Sequence, residues 1–245
     1  MVVRKSREEW KIRANVFDKF TEETLHKLSS QGLFGDLVSA VALGKEANIF
    51  TATRGRHTPG HVIVKIYRLE NCNFKRMYDY LREDVRYMKT KPQRRAVVFA
   101  WAQREYRNLL LAREAVAVPA PLGFRNNVLV MSLIGDERTG VVARQLKDVE
   151  IEQPEAYKEK VLSAVRALWQ KGLVHGDLSA FNILDKGGEP VFIDFSQAMP
   201  RTSPHAKEYL ERDLKNIGAY FSRYGVAGDV AEELDRILRA SPRAV

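Results

Sequence analysis

Residues 172 to 197 read GLVHGDLSAFNILDKGGEPVFIDFSQ, and this stretch decides the fold. Two short apolar pieces, Ile183-Leu184 and Val191-Phe192-Ile193, flank a Gly187-Gly188 turn, the pattern of a tight hairpin with polar groups at both ends. Asp177 and Asn182 stand at its entrance and Asp194 follows its second strand, so closing the hairpin brings all three to one rim. Hard oxygen ligands converging on a rim suit Mg²⁺, which prefers a few carboxylates plus phosphate oxygens over an all-protein cage. One Asp alone would read as a solvated turn. The full pattern, with apolar strands between its polar members, points to chemistry.

The layout fits a kinase signature: His-x-Asp, an Asn five residues after the Asp, then a hairpin ending in a metal-binding Asp. In that reading Asp177 accepts the proton of the attacking hydroxyl, while Asn182 and Asp194 hold the metal. Upstream, His61 to Tyr67 is a β-prone strand, HVIVKIY, with Lys65 inside it. A lysine in an apolar strand is costly to bury without an anion. Alternation sets Val62, Val64 and Ile66 on the face opposite Ile63, Lys65 and Tyr67. Two strands around Gly44-Lys45-Glu46-Ala47-Asn48 precede it, with Lys45 in a turn that has one glycine where a kinase phosphate loop usually has three. Apolar spacing from Arg95 to Ala115 predicts a helix carrying Glu105, which is expected to pair with Lys65 so that the ammonium is not a lone buried charge. A hairpin over Phe124 to Ile134 then crosses between lobes. Ser132 and Ile134 offer backbone contacts to an adenine, and Ile63, Met131, Leu184 and Ile193 offer an apolar slot, although each also suits ordinary core.

Length and composition bound the rest. The chain has 245 residues, 45% hydrophobic and 29% charged, which is ordinary for a globular protein with a sizeable core. A single cysteine, Cys72, excludes an intrachain disulfide and fits a reducing, cytoplasmic setting. No stretch approaches the ~20 apolar residues of a membrane span. The formal net charge of +9 makes a polyanion a plausible partner, whether RNA, a ribonucleoprotein or nucleotide phosphates. Residues 4 to 14 read as a solvated arm or frayed helix, and Thr21 as the cap of a helix reaching about Gln31. Residues 73 to 95 hold eight Lys/Arg against three Asp/Glu, with Phe74, Tyr78, Tyr80 and Tyr87 interleaved. They read as a basic insertion over the cleft, partly ordered, with the composition to grip phosphates and stack on bases. Thr90 is its only Ser/Thr.

In this order the segments GKEANIF, VIVKIYR, FKRMYDYLRED, WAQREYRNL, VPAP, VLVMSLIG, LVHGDLSAFN and VFIDFSQ resemble the RIO-type atypical serine protein kinases of the type 1 subfamily. The resemblance runs from about Val16 to Gly225. It implies an α+β, two-lobed protein-kinase-like fold with a small β-rich N-lobe and a truncated, mainly helical C-lobe. It also implies ATP with Mg²⁺ or Mn²⁺, autophosphorylation or an ATPase switch with Asp194 transiently phosphorylated, and a partner in the pre-ribosomal small subunit and its RNA. Thr90 becomes a candidate autophosphorylation site. The expected layout is an N-terminal extension over 1–43, an N-lobe over 44–131 and a C-lobe over 132–245. Departures fall at Ala42-Leu43, where the family usually has Ser-Thr, at Ser132, where it has an acidic hinge residue, and at Ala180. Two rival readings are a small-molecule phosphotransferase of the aminoglycoside or choline kinase kind and a non-catalytic RNA-binding assembly factor. The short stretch after Asp194, residues 195 to 245, argues against the first and against a broad peptide-binding surface; the intact catalytic positions argue against the second.

Overall fold

A computed structural model describes residues 17–55, 58–70 and 72–240; the arm over residues 4 to 14 lies outside them. The chain begins with helix α1 (Lys19–Ser30), followed by strands β1 (Leu37–Leu43), β2 (Ala47–Thr53) and β3 (His61–Tyr67). Helices α2 (Phe74–Arg82) and α3 (Arg94–Ala112) come next, then β4 (Pro121–Arg125) and β5 (Val128–Ser132). The strands form one five-stranded antiparallel sheet in the order β1-β2-β3-β5-β4. Its central strand is β3, whose β-branched residues suit a surface packed on both sides.

Both faces of β3 are buried, and they belong to different cores. Val62, Val64 and Ile66 pack with Phe50, Val128, Val130, Leu25 and Leu28, so α1 covers that face. Ile63 and Tyr67 join Trp101, Ala102 and Leu109 on the face covered by α3. The cap of α1 is Asp18, whose carboxylate accepts the Thr21 amide at 2.9 Å, and not Thr21 itself. Thr21 is buried because its hydroxyl receives Asn127 Nδ2 at 3.0 Å, which ties the helix to the β4–β5 turn.

The second lobe is mainly helical. It holds two small hairpins, β6 (Gly135–Asp136) with β7 (Val141–Val142) and β9 (Ile183–Asp185) with β10 (Pro190–Phe192), and helix α4 (Pro154–Gln170). Strand β8 (Leu173–Val174) pairs with β11 (Met199–Pro200), and helices α5 (Ala206–Ser222) and α6 (Val230–Arg239) complete the lobe. Val161, Val165, Leu168, Leu210, Leu214, Ile217 and Phe221 extend the α3 core without a break, so one apolar cluster underlies both lobes. No helix among the described residues is long and apolar enough to cross a membrane.

The expectation for residues 73 to 95 is corrected by the structure. Asn73 caps α2 through its side chain, and Met77, Tyr80 and Leu81 turn inward against α3. Tyr87 and Asp84 are buried as well. Asp84 is held by Arg86, whose Nη2 lies 2.6 Å away, and faces Arg104 of α3 at 3.5 Å. Arg104 donates to the carbonyls of Gln197 and Ala198, both at 3.3 Å, and Asn108 Nδ2 donates to those of Phe195 and Ala198 at 3.0 and 2.6 Å. A polar cluster with Asp84, Arg104 and Asn108 buried thus bolts α3 to the loop after Asp194. Burial pulls the Arg104 guanidinium down to about 10 against the support of Asp84. Removing one member of a buried pair leaves an uncompensated charge, at a cost of roughly 3–5 kcal/mol. Asp84→Ala should therefore lower the unfolding free energy by that order in a urea titration, and Asp84→Leu combined with Arg104→Met should lower it far less. A double variant as unstable as the single one would refute this view of the cluster.

Candidate active site

The cleft between the lobes is built around one buried ammonium. Lys65 lies mid-β3, paired with Ile49 on one side and Leu129 on the other, and is 4% exposed. Its Nζ donates to Glu105 Oε1 at 2.8 Å and to Asp194 Oδ1 at 3.0 Å. The second Glu105 oxygen accepts the Tyr67 hydroxyl, so no oxygen of this buried carboxylate lacks a donor. Burial alone would pull Lys65 down, but the charges of Asp194 and Glu105 outweigh it and hold the ammonium above its ordinary value. Burial pushes the Glu105 carboxyl up against the pull of Lys65. Asp194 is different. Its side chain is 40% exposed to the cleft, and although burial works to raise it, Lys65 and the Ser196 hydroxyl at 2.7 Å win and hold it at about 2. Its φ of 62° is the left-handed region, which Asp tolerates better than a branched residue and which turns the carboxylate back toward Lys65.

Below it, the loop over residues 175 to 182 is fixed by α5, by the segment after β10 and by its own Asn182. Asp213 of α5 accepts the amides of Gly176 and Leu178, each at 2.8 Å, on either side of Asp177. Asn216 donates to the Leu178 carbonyl at 3.0 Å, and Asn182 Nδ2 to the Asp177 carbonyl at 2.8 Å. Gly176 has φ 77°, and a Cβ there would lie 3.0 Å from the Gln197 carbonyl, so glycine is required. His175 is buried, with Nε2 3.0 Å from the Ile193 carbonyl and Nδ1 facing the Asp177 amide. An Nε2 that must donate and an Nδ1 that must accept define the neutral ring, and burial lowers its pKa to about 4. The Asp177 carboxylate accepts Gln197 Nε2 at 3.0 Å and is pushed up, first by burial and then by the charge of Asp194, with Arg212 opposing.

Other residues singled out by the sequence fall at the cleft's far end or outside it. Ile63 and Met131 face each other across β3 and β5, and Leu184 is buried while Ile193 is half-buried. Lys45 is exposed at the β1–β2 turn; its neighbour Glu46 is the residue that turns inward, raised by burial and by Asp194. The bonds of Ser132 narrow which of its backbone groups can face an adenine. Its amide donates to the Ala120 carbonyl and its hydroxyl accepts the Ala120 amide, both at 2.8 Å, so only its carbonyl remains for an adenine edge. The Ile134 carbonyl accepts the Ala143 amide at 2.8 Å, which leaves its N–H for the same task. Sequence reading missed Tyr67, Gln197, Asp213 and Glu46. Tyr67 carried a signal, two residues from Lys65 on the same strand face. Asp213 carried one as well, an acid within the apolar stripe Leu210, Leu214, Ile217.

Two measurements check this geometry. Glu105 acts on the cleft by holding Lys65, so the losses in ATP turnover from Lys65→Ala and Glu105→Gln should be non-additive; a double variant whose loss equals the sum of the single losses would break the pairing. His175 is neutral when folded, whereas an unfolded histidine takes a proton below about 6.5, so the unfolded chain binds more protons between there and about pH 4. Its contribution to stability is complete above pH 6.5 and lost as pH falls toward 4, on the order of 3 kcal/mol. Asp213, pushed up to about 7 by burial, works in the opposite sense, so the comparison is with His175→Gln. The stability gap between the two proteins should narrow on acidification through this window, and a constant gap would contradict the neutral buried ring.

Comparison with known proteins bears on this site. Residues 48–234 match the RIO domain family. The chain is 39% identical over 228 residues to the RIO-type serine/threonine-protein kinase Rio1 of Haloferax volcanii, covering 92% of this chain and 77% of that protein. It is 40% identical over 221 residues to the Methanocaldococcus jannaschii kinase of the same name, covering 90% and 74%. The human serine/threonine-protein kinase RIO1 is 34% identical over 227 residues, which span 89% of this chain and 39% of the human one. Among solved structures, the ADP/Mg²⁺-phosphoaspartate complex of the Rio2 kinase from Chaetomium thermophilum superposes with a TM-score of 0.69 at 20% identity, over 96% of this chain and 78% of that one. That likeness shows the two-lobed kinase-like fold. With the family model spanning most of the sequence and the Rio1 relatives matching along nearly all of it, the chain belongs to the RIO family of atypical serine/threonine protein kinases, type 1.

Proposed function

We propose that the chain transfers the γ-phosphoryl group of ATP, bound with Mg²⁺, to a serine or threonine hydroxyl or to water, with Asp177 as the base. The observation that carries this reading is the simultaneous grip of Lys65 on Glu105 and Asp194, at 2.8 and 3.0 Å, from three separate elements. Such an ammonium is fixed in direction before any phosphate arrives, which is the positioning that phosphoryl transfer needs. The donor set fits a hard cation: an ionised carboxylate open to the cleft at Asp194 and a half-buried amide at Asn182. Those two residues would hold Mg²⁺ (or Mn²⁺), which when bound neutralises phosphate charge. The Ser132 carbonyl and the Ile134 N–H supply one acceptor and one donor, matching an adenine edge, between Ile63, Met131, Leu184 and Ile193. Asp177, raised above the usual carboxylate range by burial, orients the attacking hydroxyl and takes its proton.

The basic surface supports a role in maturing the small ribosomal subunit. Lys89, Lys91, Arg94 and Arg95 are exposed beside exposed Val85 and Met88, which suits contact with an RNA backbone and its bound proteins. Arg86 is excluded from that surface by its commitment to Asp84 and Asn108. Thr90 sits in this turn, its amide 2.8 Å from the Tyr87 carbonyl, and remains the candidate for self-modification. Asp177→Asn should lower phosphoryl transfer by about 10² to 10⁴ while ATP affinity, read by calorimetry, stays near wild type. A variant that turns over ATP at the unaltered rate would remove Asp177 from its role.

A further inference from the structure

Helix α2 belongs to both lobes, and its two attachments differ in kind. Met77, Tyr80 and Leu81 bury themselves in the apolar core against α3, the Tyr80 ring standing edge-on to Trp101. Toward the C-lobe the attachment is aromatic and polar. Tyr80 stacks on Tyr209 of α5 with ring centroids 5.7 Å apart, and the Tyr209 hydroxyl donates to Glu83 Oε2 at 2.9 Å. Guanidinium groups close both ends of this stack: Arg76 lies 5.7 Å from the Tyr80 ring and Arg212 lies 4.8 Å from the Tyr209 ring. Arg212 also donates to the carbonyl of Gly176, the residue before Asp177. Through Arg212 and Tyr209, α2 is thus docked directly against the backbone that carries Asp177.

We propose that α2 selects the phosphoryl acceptor: docked through Tyr80, Glu83, Tyr209 and Arg212 it covers the acceptor side of Asp177, and its undocking admits a hydroxyl carried by another macromolecule. This rests on Asp177 being the base. The physical ground is the asymmetry of the two attachments. The face of α2 buried under α3, Tyr80 included, does not exchange with water, whereas the half-buried Tyr209 ring and the hydrogen bond its hydroxyl gives to the Glu83 carboxylate are readily replaced by solvent or by a partner's groups. The C-lobe side of α2 therefore opens while the helix stays folded on α3. In either state the bond between the γ-phosphorus and the oxygen of the leaving ADP breaks, a bond to the acceptor oxygen forms, and the acceptor's proton passes to Asp177 and then to solvent. Docked, the acceptor is small, water above all. Undocked, it is a side-chain hydroxyl of a second protein.

The test uses the full chain and two products from one reaction: inorganic phosphate and label transferred from γ-labelled ATP to dephosphorylated casein. Tyr209→Ala removes the stack and the hydrogen bond, and the ratio of casein label to phosphate should rise about three- to tenfold. Tyr209→Phe keeps the ring and removes only the bond to Glu83, and the ratio should rise about twofold. Retained hydrolysis in each variant reports an intact cleft. An unchanged or lowered ratio with hydrolysis retained overturns the proposal, and so does loss of hydrolysis in both variants, which would make α2 docking a requirement of the chemistry. Asp177→Asn, run beside them, should lose both products; if it keeps them, the assignment of the base fails independently of the gate.

Discussion

A lysine ammonium sealed inside a β-sheet face is the constraint from which the rest follows. At 4% exposure Lys65 has almost no water, and an unpaired charge there would be far too costly to keep. Its two carboxylates come from α3 and from the loop after β10, elements that lie far apart in the chain and on different lobes. The fold must therefore bring the lobes together at this point before the ammonium is satisfied. Folding and the assembly of this edge of the cleft are in this sense one event, with Tyr67 completing the set through Glu105.

The cluster around Arg104 serves the same meeting of lobes from behind. Arg104 and Asn108 lie on α3 next to Glu105, and their donors end on the carbonyls of Phe195, Gln197 and Ala198, next to Asp194. Two adjacent stretches of α3 thus meet two adjacent stretches of one loop, Glu105 and Asp194 bridged by the Lys65 ammonium and the Arg104 and Asn108 side chains bonded directly to the loop's carbonyls. Asp213 does for the Asp177 loop what this cluster does for the Asp194 loop, taking two amides with one carboxylate. Asp177 and Asp194 each stand on backbone fixed by a buried polar group rather than by loop packing alone.

How much of this was legible in the sequence depends on range. The strand around Lys65, the helix of Glu105 and the hairpin between Asp177 and Asp194 are written in local period and spacing, and the structure has each of them, the helix ending three residues earlier than its spacing predicts. The kinase-like fold followed from their order. Helix α2 was readable too, since Met77, Tyr80 and Leu81 stand at i, i+3 and i+4, but its basic residues drew the eye toward a solvated loop. Ser132 could not be settled from sequence, because the direction of its amide depends on register with Ala120 across a bulge. The partners of Arg104, Asp213 and Tyr209 were hidden for the same reason: each is joined to a residue dozens of positions away, and no periodicity records such a pairing.

The central claim is that Asp194, held at its position by Lys65, presents its carboxylate to a divalent cation during phosphoryl transfer. A titration of ATP turnover against Mg²⁺ in the wild-type chain and in Asp194→Asn tests it most directly. The account predicts saturable Mg²⁺ dependence in the wild type and, in the variant, a rate lower by about 10² or more with that dependence shifted to higher Mg²⁺. Turnover by Asp194→Asn at the wild-type rate and with the wild-type Mg²⁺ midpoint would contradict it.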